Sequence, residues 1–214
     1  MIKEIDFVTG LRERLETILN ELIKDIGSLK IGKKGQFPFG WRKAAKGRTV
    51  WRLVEELISQ NLEKDYAKYH LLKMTPSESE VSVYDFSCIV DGFDEEIYIN
   101  IKGSNNTSKD NKDDISKADE LVKFYQINNQ RKLFVASFIM EFSNSMEVEI
   151  QRCIVMPVAW LPDIYINPSN NGNLQSSKYK YVDKAIKRTN FDFLKEFDKA
   201  HKIALKKKKG KDQA

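Results

Sequence analysis

Residues 81–104 read VSVYDFSCIVDGFDEEIYINIKGS: two runs rich in β-branched and aromatic residues, joined by a turn. A strand alternates its faces with a period of two. On the second run this sets Ile97, Ile99 and Ile101 against Tyr98, Asn100 and Lys102, so one face is expected to be core and the other polar. On the first run Asp85 shares its face with Val83 and Ser87 and stands among Val81, Tyr84, Phe86, Ile89 and Val90. An unpaired carboxylate in such a setting costs on the order of several kcal/mol. A compensating partner is therefore expected.

Two compensations suit these residues. Asp85 can pair with Lys102 across the hairpin and do nothing more. Alternatively, Asp85 and Asn100 present oxygens to a hard cation such as Mg2+, the Ile101 backbone adds a carbonyl, and Lys102 stands beside a bound water and phosphate. Magnesium favours oxygen ligands and keeps several waters, so a donor set this small is sufficient.

Upstream, residues 9–27 carry Leu11, Leu15, Ile18, Leu19, Leu22, Ile23 and Ile26 at spacings of three and four, which predicts a helix with Thr9 as N-cap and Gly27 as stop. Residues 30–47 break that pattern with four glycines, a proline and basic residues among Phe37, Phe39 and Trp41. This is expected to be a loop, either gripping nucleic acid or pinned to the core by its aromatics. A second helix is expected over residues 48–69, with Val50, Leu53, Val54, Leu57, Ile58 and Leu62 on one side. Glu55 lies at the margin of that face, able either to reach a site beside the core or to pair with Arg52 or Ser59 at the surface.

Downstream, residues 105–114 read as a polar loop and residues 117–127 as a helix. Residues 132–142 and 148–158 form a second hairpin around Ser143, Asn144 and Ser145. Residues 161–177 are irregular. A last helix over residues 190–206 is expected to bury Phe191, Phe193, Leu194, Phe197 and Ala200. The order predicts a mixed β-sheet flanked by helices, α/β or α+β in class, in a single domain over residues 1–214.

Composition narrows the chemistry. Apolar residues at 41% and charged residues at 31% describe a soluble globular chain, with no apolar run long enough for a membrane span and an N-terminus unlike a secretory signal. A cytoplasmic protein is expected. Cys88 and Cys153 fall inside apolar strand-like runs as free thiols, and with His70 and His201 alone beside them neither a zinc site nor Ser-His-Asp hydrolysis is expected. From residue 178 onward, 13 Lys and Arg face 5 Asp and Glu, so the basic charge is concentrated where it can meet phosphates, although residues 206–209 read as a solvated tail.

An apolar strand with an embedded Asp85 in VYDFSCIVDG, a turn, then Asn100-Ile101-Lys102 in YINIKGS, with Glu55 upstream in WRLVEEL, resembles the PD-(D/E)XK nuclease superfamily, type II restriction endonucleases in particular. The resemblance implies an αβββαβ core over about residues 48–158 and Mg2+-dependent hydrolysis of double-stranded DNA by a homodimer in a restriction-modification system. It also implies that Asp85, Asn100 and the Ile101 backbone hold the metal, that Lys102 orients or helps activate water, and that Glu55 holds a metal through water or stands in for a missing acid. Asn100 departs from the motif, which has Asp or Glu there; replacing it by Asp is expected to leave metal affinity higher or unchanged. Base and phosphate contacts are expected from Asn105, Asn106 and Lys109 after the hairpin, and from Asn170, Asn171, Asn173, Gln175 and Lys178, with solvent-exposed turns as the plainer reading. The alternatives are a repair, resolvase or RNA-directed nuclease on the same core, and a non-catalytic DNA-binding protein on a decayed nuclease fold.

Overall fold

The computed structural model describes residues 2–42, 50–79, 82–105, 112–169 and 172–212. Helix α1 (Ile2–Ile26) buries Val8, Leu11, Leu15, Ile18, Leu19 and Leu22 along one stripe. It begins well before Thr9, because Ile5 and Val8 continue the apolar spacing and nothing breaks it. Thr9 is therefore no cap: its hydroxyl bonds back to the Ile5 carbonyl at 2.8 Å inside the helix. Gly27 ends α1 as expected, at φ +67° with its N–H on the Ile23 carbonyl.

Six strands form the main sheet in the order β1-β7-β6-β4-β3-β2. These are β1 (Leu29–Lys30), β2 (Leu71–Pro76), β3 (Phe86–Val90), β4 (Glu96–Asn105), β6 (Lys132–Phe142) and β7 (Glu147–Pro157). β4 and β6 run parallel, bridged by helix α3 (Ala118–Ile127); the other pairings are antiparallel. Helix α2 (Val50–Asp65) precedes β2, so residues 50–142 run α2-β2-β3-β4-α3-β6, with a further strand, β5 (Asp113–Lys117), inserted after β4. β2 went unread in the sequence because LLKMTP has no alternation. It is an edge strand held by β3 alone, with Leu72 60% exposed.

A small second sheet, β5-β9-β8, joins β5 to β9 (Asn173–Ser176) and β8 (Tyr165–Asn167), turning stretches expected as loops into strands. Together with α3 it covers the face of β4 that was expected to be polar. Tyr98 packs between Tyr84 and Phe124, with ring centroids 4.9 and 5.0 Å away, and Asn100 is 6% exposed. β4 is thus a central strand buried on both sides. On its other face α2 lies close: a Cβ at Gly103 would sit 2.5 Å from the Trp51 ring, so only glycine admits that approach. β7 is paired by β1 at Val148 and Glu147, and farther along its edge is closed by α1. The Asn20 amide bonds both main-chain groups of Cys153 at 2.9 Å, and Glu16 accepts from the Val155 N–H at 2.9 Å.

Cys88 and Cys153 are buried free thiols. Helix α4 (Asn190–Asp212) buries Phe193, Phe197 and Ala204, but Phe191 is 61% exposed; two residues from Phe193, it lies about 200° around the helix. Among the described residues, no helix is long and apolar enough to cross a membrane.

Candidate active site

β4 outruns its neighbour. Pairing with β3 ends at Phe86 opposite Ile99, so the remainder of β4 lacks a β3 partner on that edge. Asp85, the residue before β3, fills the gap. Its N–H bonds the Ile99 carbonyl at 2.8 Å, and its Oδ2 accepts the Ile101 N–H at 2.5 Å. The Ile101 carbonyl leaves β4 on the same side as that N–H, towards the open edge.

Glu55 reaches this edge from α2. Its side chain takes both roles expected for it: it lies 3.4 Å from the Arg52 guanidinium and faces the Asp85 carboxylate. Burial first, then the hydrogen bond and charge of Asp85, push the Glu55 carboxyl up to about 7, against the pull of Arg52 and Lys102. Near neutral pH the Glu55 carboxyl is therefore protonated for part of the time. An open cleft of about 870 Å³ gives access to them, walled by Arg52, Ser59, Ser77, Ser82 and Tyr84.

Lys102 does not pair with Asp85, so the plain structural role for the two residues is not the one adopted. The Asp85 carboxylate is engaged by Ile101 and Glu55, and Lys102 forms no hydrogen bond or ion pair with any described residue. Burial pushes the lysine's pKa down, while the charges of Asp85, Glu55, Asp114 and Asp113 favour its ammonium. Across the ladder from Lys102 stands Ser137, whose Oγ is buried without a partner among the described residues. Asp113 and Asp114 were missed by sequence reasoning, because nothing in a polar run tells that it returns to the hairpin.

Asn100 is held by its nitrogen. Nδ2 donates to the Val83 carbonyl at 3.0 Å and the Ile115 carbonyl at 3.3 Å, which fixes the amide's orientation and leaves Oδ1 buried with no partner among the described residues. An aspartate would set an oxygen against two carbonyl oxygens. The hydrogen bonding at this position therefore favours the amide over a carboxylate.

The chain matches no family model and no curated protein.

Asp85 and Glu55 bring two carboxyl groups to the open edge of β4, where the Ile101 carbonyl also leaves the strand, oxygen donors of the kind a small hard cation takes, while the Asn100 amide oxygen is buried without a partner among the described residues. Among the described residues no three His, Cys, Asp or Glu side chains stand together as a closed cage. Such a set suits magnesium, which keeps its waters, better than zinc.

Of the residues expected to meet DNA, Asn106, Lys109, Asn170 and Asn171 lie outside the described residues. Asn105 ends β4 and lines a second cleft. Asn173 opens β9, half-buried, with Oδ1 lacking a partner among the described residues. Gln175 is 8% exposed, and both ends of its amide are used internally: Nε2 donates to Asp114 at 2.6 Å and Oε1 accepts from Asn167 at 3.3 Å. It braces Asp114, with its amide turned inward. The Lys178 ammonium lies 5.4 Å from the Tyr181 ring centroid. In the aromatic loop Trp41 is pinned, its indole N–H on the Ser143 carbonyl at 2.8 Å, while Phe39 is 79% exposed beneath Arg42; residues 43–47 lie outside the described residues.

Proposed function

We propose that this chain is a Mg2+-dependent endonuclease of double-stranded DNA, of the type II restriction kind. The observation that carries the reading is Lys102, a largely desolvated lysine left without an ion pair among the described residues, beside two carboxyl groups at the open end of β4. A merely structural lysine would be neutralised by the nearest acid; one kept unpaired is available to a substrate phosphate. The order α2-β2-β3-β4-α3-β6 agrees with the αβββαβ core that the motif implies.

Asp85, Asn100 through Oδ1 and the Ile101 carbonyl would hold the metal, with Glu55 beside them. Bound there, magnesium would neutralise charge on the phosphate and supply an acidic water to the leaving oxygen. Lys102 orients the attacking water and meets the phosphate oxygens. Glu55, with its carboxyl near 7, accepts the proton that water releases as its oxygen bonds phosphorus and the P–O bond to the leaving strand breaks. The protein acts in the cytoplasm as a homodimer, one copy per strand of a palindromic site.

A second reading, a DNA-binding protein on a decayed nuclease fold, is favoured by Asn100, whose nitrogen ties down Val83 and Ile115 in place of an anionic ligand. Long duplex DNA incubated with the protein in Mg2+ or EDTA separates them. Discrete Mg2+-dependent fragments support the restriction reading, a smear or structure-dependent cutting supports a repair or resolvase enzyme, and binding without cleavage supports the second reading.

A further inference from the structure

Beyond Lys102, β4 leads into a second cleft of about 480 Å³. Its floor is one row across three strands: Ser104 of β4 lies opposite Ile139 of β6, which lies opposite Arg152 of β7. Arg152 belongs to this row because of a β-bulge. Ile139 pairs with Arg152 but Met140 pairs with Ile150, which makes Gln151 the extra residue. The alternation of β7 breaks there, and Gln151 and Arg152 are exposed in succession. Gln151 is held by Glu141 at 3.2 Å. Arg152 forms no hydrogen bond or ion pair with any described residue.

The opposite wall is the segment 178–183. Lys180 is fixed there with its ammonium on the Ser104 hydroxyl at 3.0 Å, and Tyr181 lies with Lys178 and Lys184 5.4 and 4.4 Å from its ring centroid. Arg12, also at the cleft, is already engaged at 2.9 Å by Glu16, which itself accepts the Val155 N–H. Glu16 is thereby neutralised, and Asp183 is half-buried at the rim. The cleft thus presents a guanidinium on one side and an ammonium with a hydroxyl on the other. They stand two strand spacings apart, about 10 Å, a gap that two long side chains close around a tetrahedral anion.

Ser104 lies two residues beyond Lys102 on the same face of β4, about 7 Å along the strand. That is of the order of one nucleotide step. We propose that Arg152 and Lys180 seat the backbone phosphate neighbouring the one that Lys102 meets, so that the bulge in β7 sets the register of the DNA strand on the enzyme. This rests on the reading of the chain as a DNA-cleaving enzyme.

The test is equilibrium binding of a labelled duplex in EDTA across a range of salt, using the full-length parent, Arg152→Ala, Arg152→Lys and Arg152→Glu. Cleavage by the parent in Mg2+ is measured separately. Loss of one phosphate contact should weaken binding several-fold and reduce the slope of log K against log salt by about 1 for Arg152→Ala. Arg152→Lys should keep most of the slope and Arg152→Glu should lose more. Arg152 is exposed and packs no core, so unfolding midpoints should stay near the parent's. An unchanged slope for Arg152→Ala, in a parent that binds and cuts DNA, overturns the phosphate seat and leaves the nuclease reading standing. A parent that binds no duplex overturns both.

Discussion

Asn100→Asp is the substitution that the nuclease motif invites and that the geometry forbids. Parent Nδ2 makes two hydrogen bonds, at 3.0 and 3.3 Å, to the carbonyls of Val83 and Ile115, within a side chain 6% exposed. A protonated aspartic acid can donate to one of those carbonyls and abandons the other, at about 1–2 kcal/mol. An ionised one loses both bonds and faces two carbonyl oxygens with a buried charge, which brings the loss to about 3–5 kcal/mol. The folded variant therefore holds a proton that the unfolded chain releases, and the pKa of the introduced carboxyl is raised on folding. Stability falls as pH rises from the unfolded value towards the folded one, the direction expected for an acid whose folded pKa is raised. Urea unfolding in EDTA at about pH 4, near the lower edge of that window, and about pH 8, above it, measures this. The variant should be weaker than the parent at both and markedly more so at the higher pH, whereas Asn100→Leu, which loses the same bonds without a charge, should show no such added dependence. A variant as stable as the parent at the higher pH would refute the placement of the Asn100 nitrogen against the two carbonyls.

Glu55 predicts a second pH dependence. With its folded carboxyl raised to about 7, the metal-free parent should lose stability as pH rises from about 5 to 7, by about 2 kcal/mol after solvent screening at its exposed Arg52 partner. Glu55→Gln should flatten that slope, and Mg2+ should oppose it; a parent equally stable at both pH values counts against the raised Glu55 carboxyl. Lys102→Met removes an unpaired, desolvated charge while keeping the stem, so it should raise stability by about 1–3 kcal/mol and abolish cleavage together. A lower unfolding midpoint would mean that the ammonium is held by contacts that hold the fold.

The parts of the fold legible in the sequence are those with periodicity of their own. α1 past Thr9, α3, the β3–β4 hairpin and the β6–β7 hairpin announce themselves by spacing, and Gly27 stops its helix where its freedom from a side chain is needed. β2, β5, β8 and β9 are short strands whose pattern comes from neighbours, some of them far along the chain, and so they read as loops. Strand parity placed Asn100 and Lys102 on one face, but whether that face met water depended on α3 and β5 folding over it. The site was located by residue type and motif, whereas its wiring was not legible. That Asp85 caps the Ile101 N–H and leaves Lys102 alone follows from β3 beginning only at the residue after Asp85, and that Gln175 braces Asp114 follows from a pairing between segments distant in sequence.

In the proposed mechanism Asp85 and Lys102, at the open end of β4, carry out DNA cleavage. Single-turnover cleavage of a long duplex in Mg2+, with the parent, Asp85→Ala and Lys102→Ala measured side by side, tests it most directly. The parent should cleave in a way that EDTA abolishes, and each variant should lose at least about 100-fold, the scale on which positioned catalytic groups act. Variants that cut as fast as the parent would contradict it.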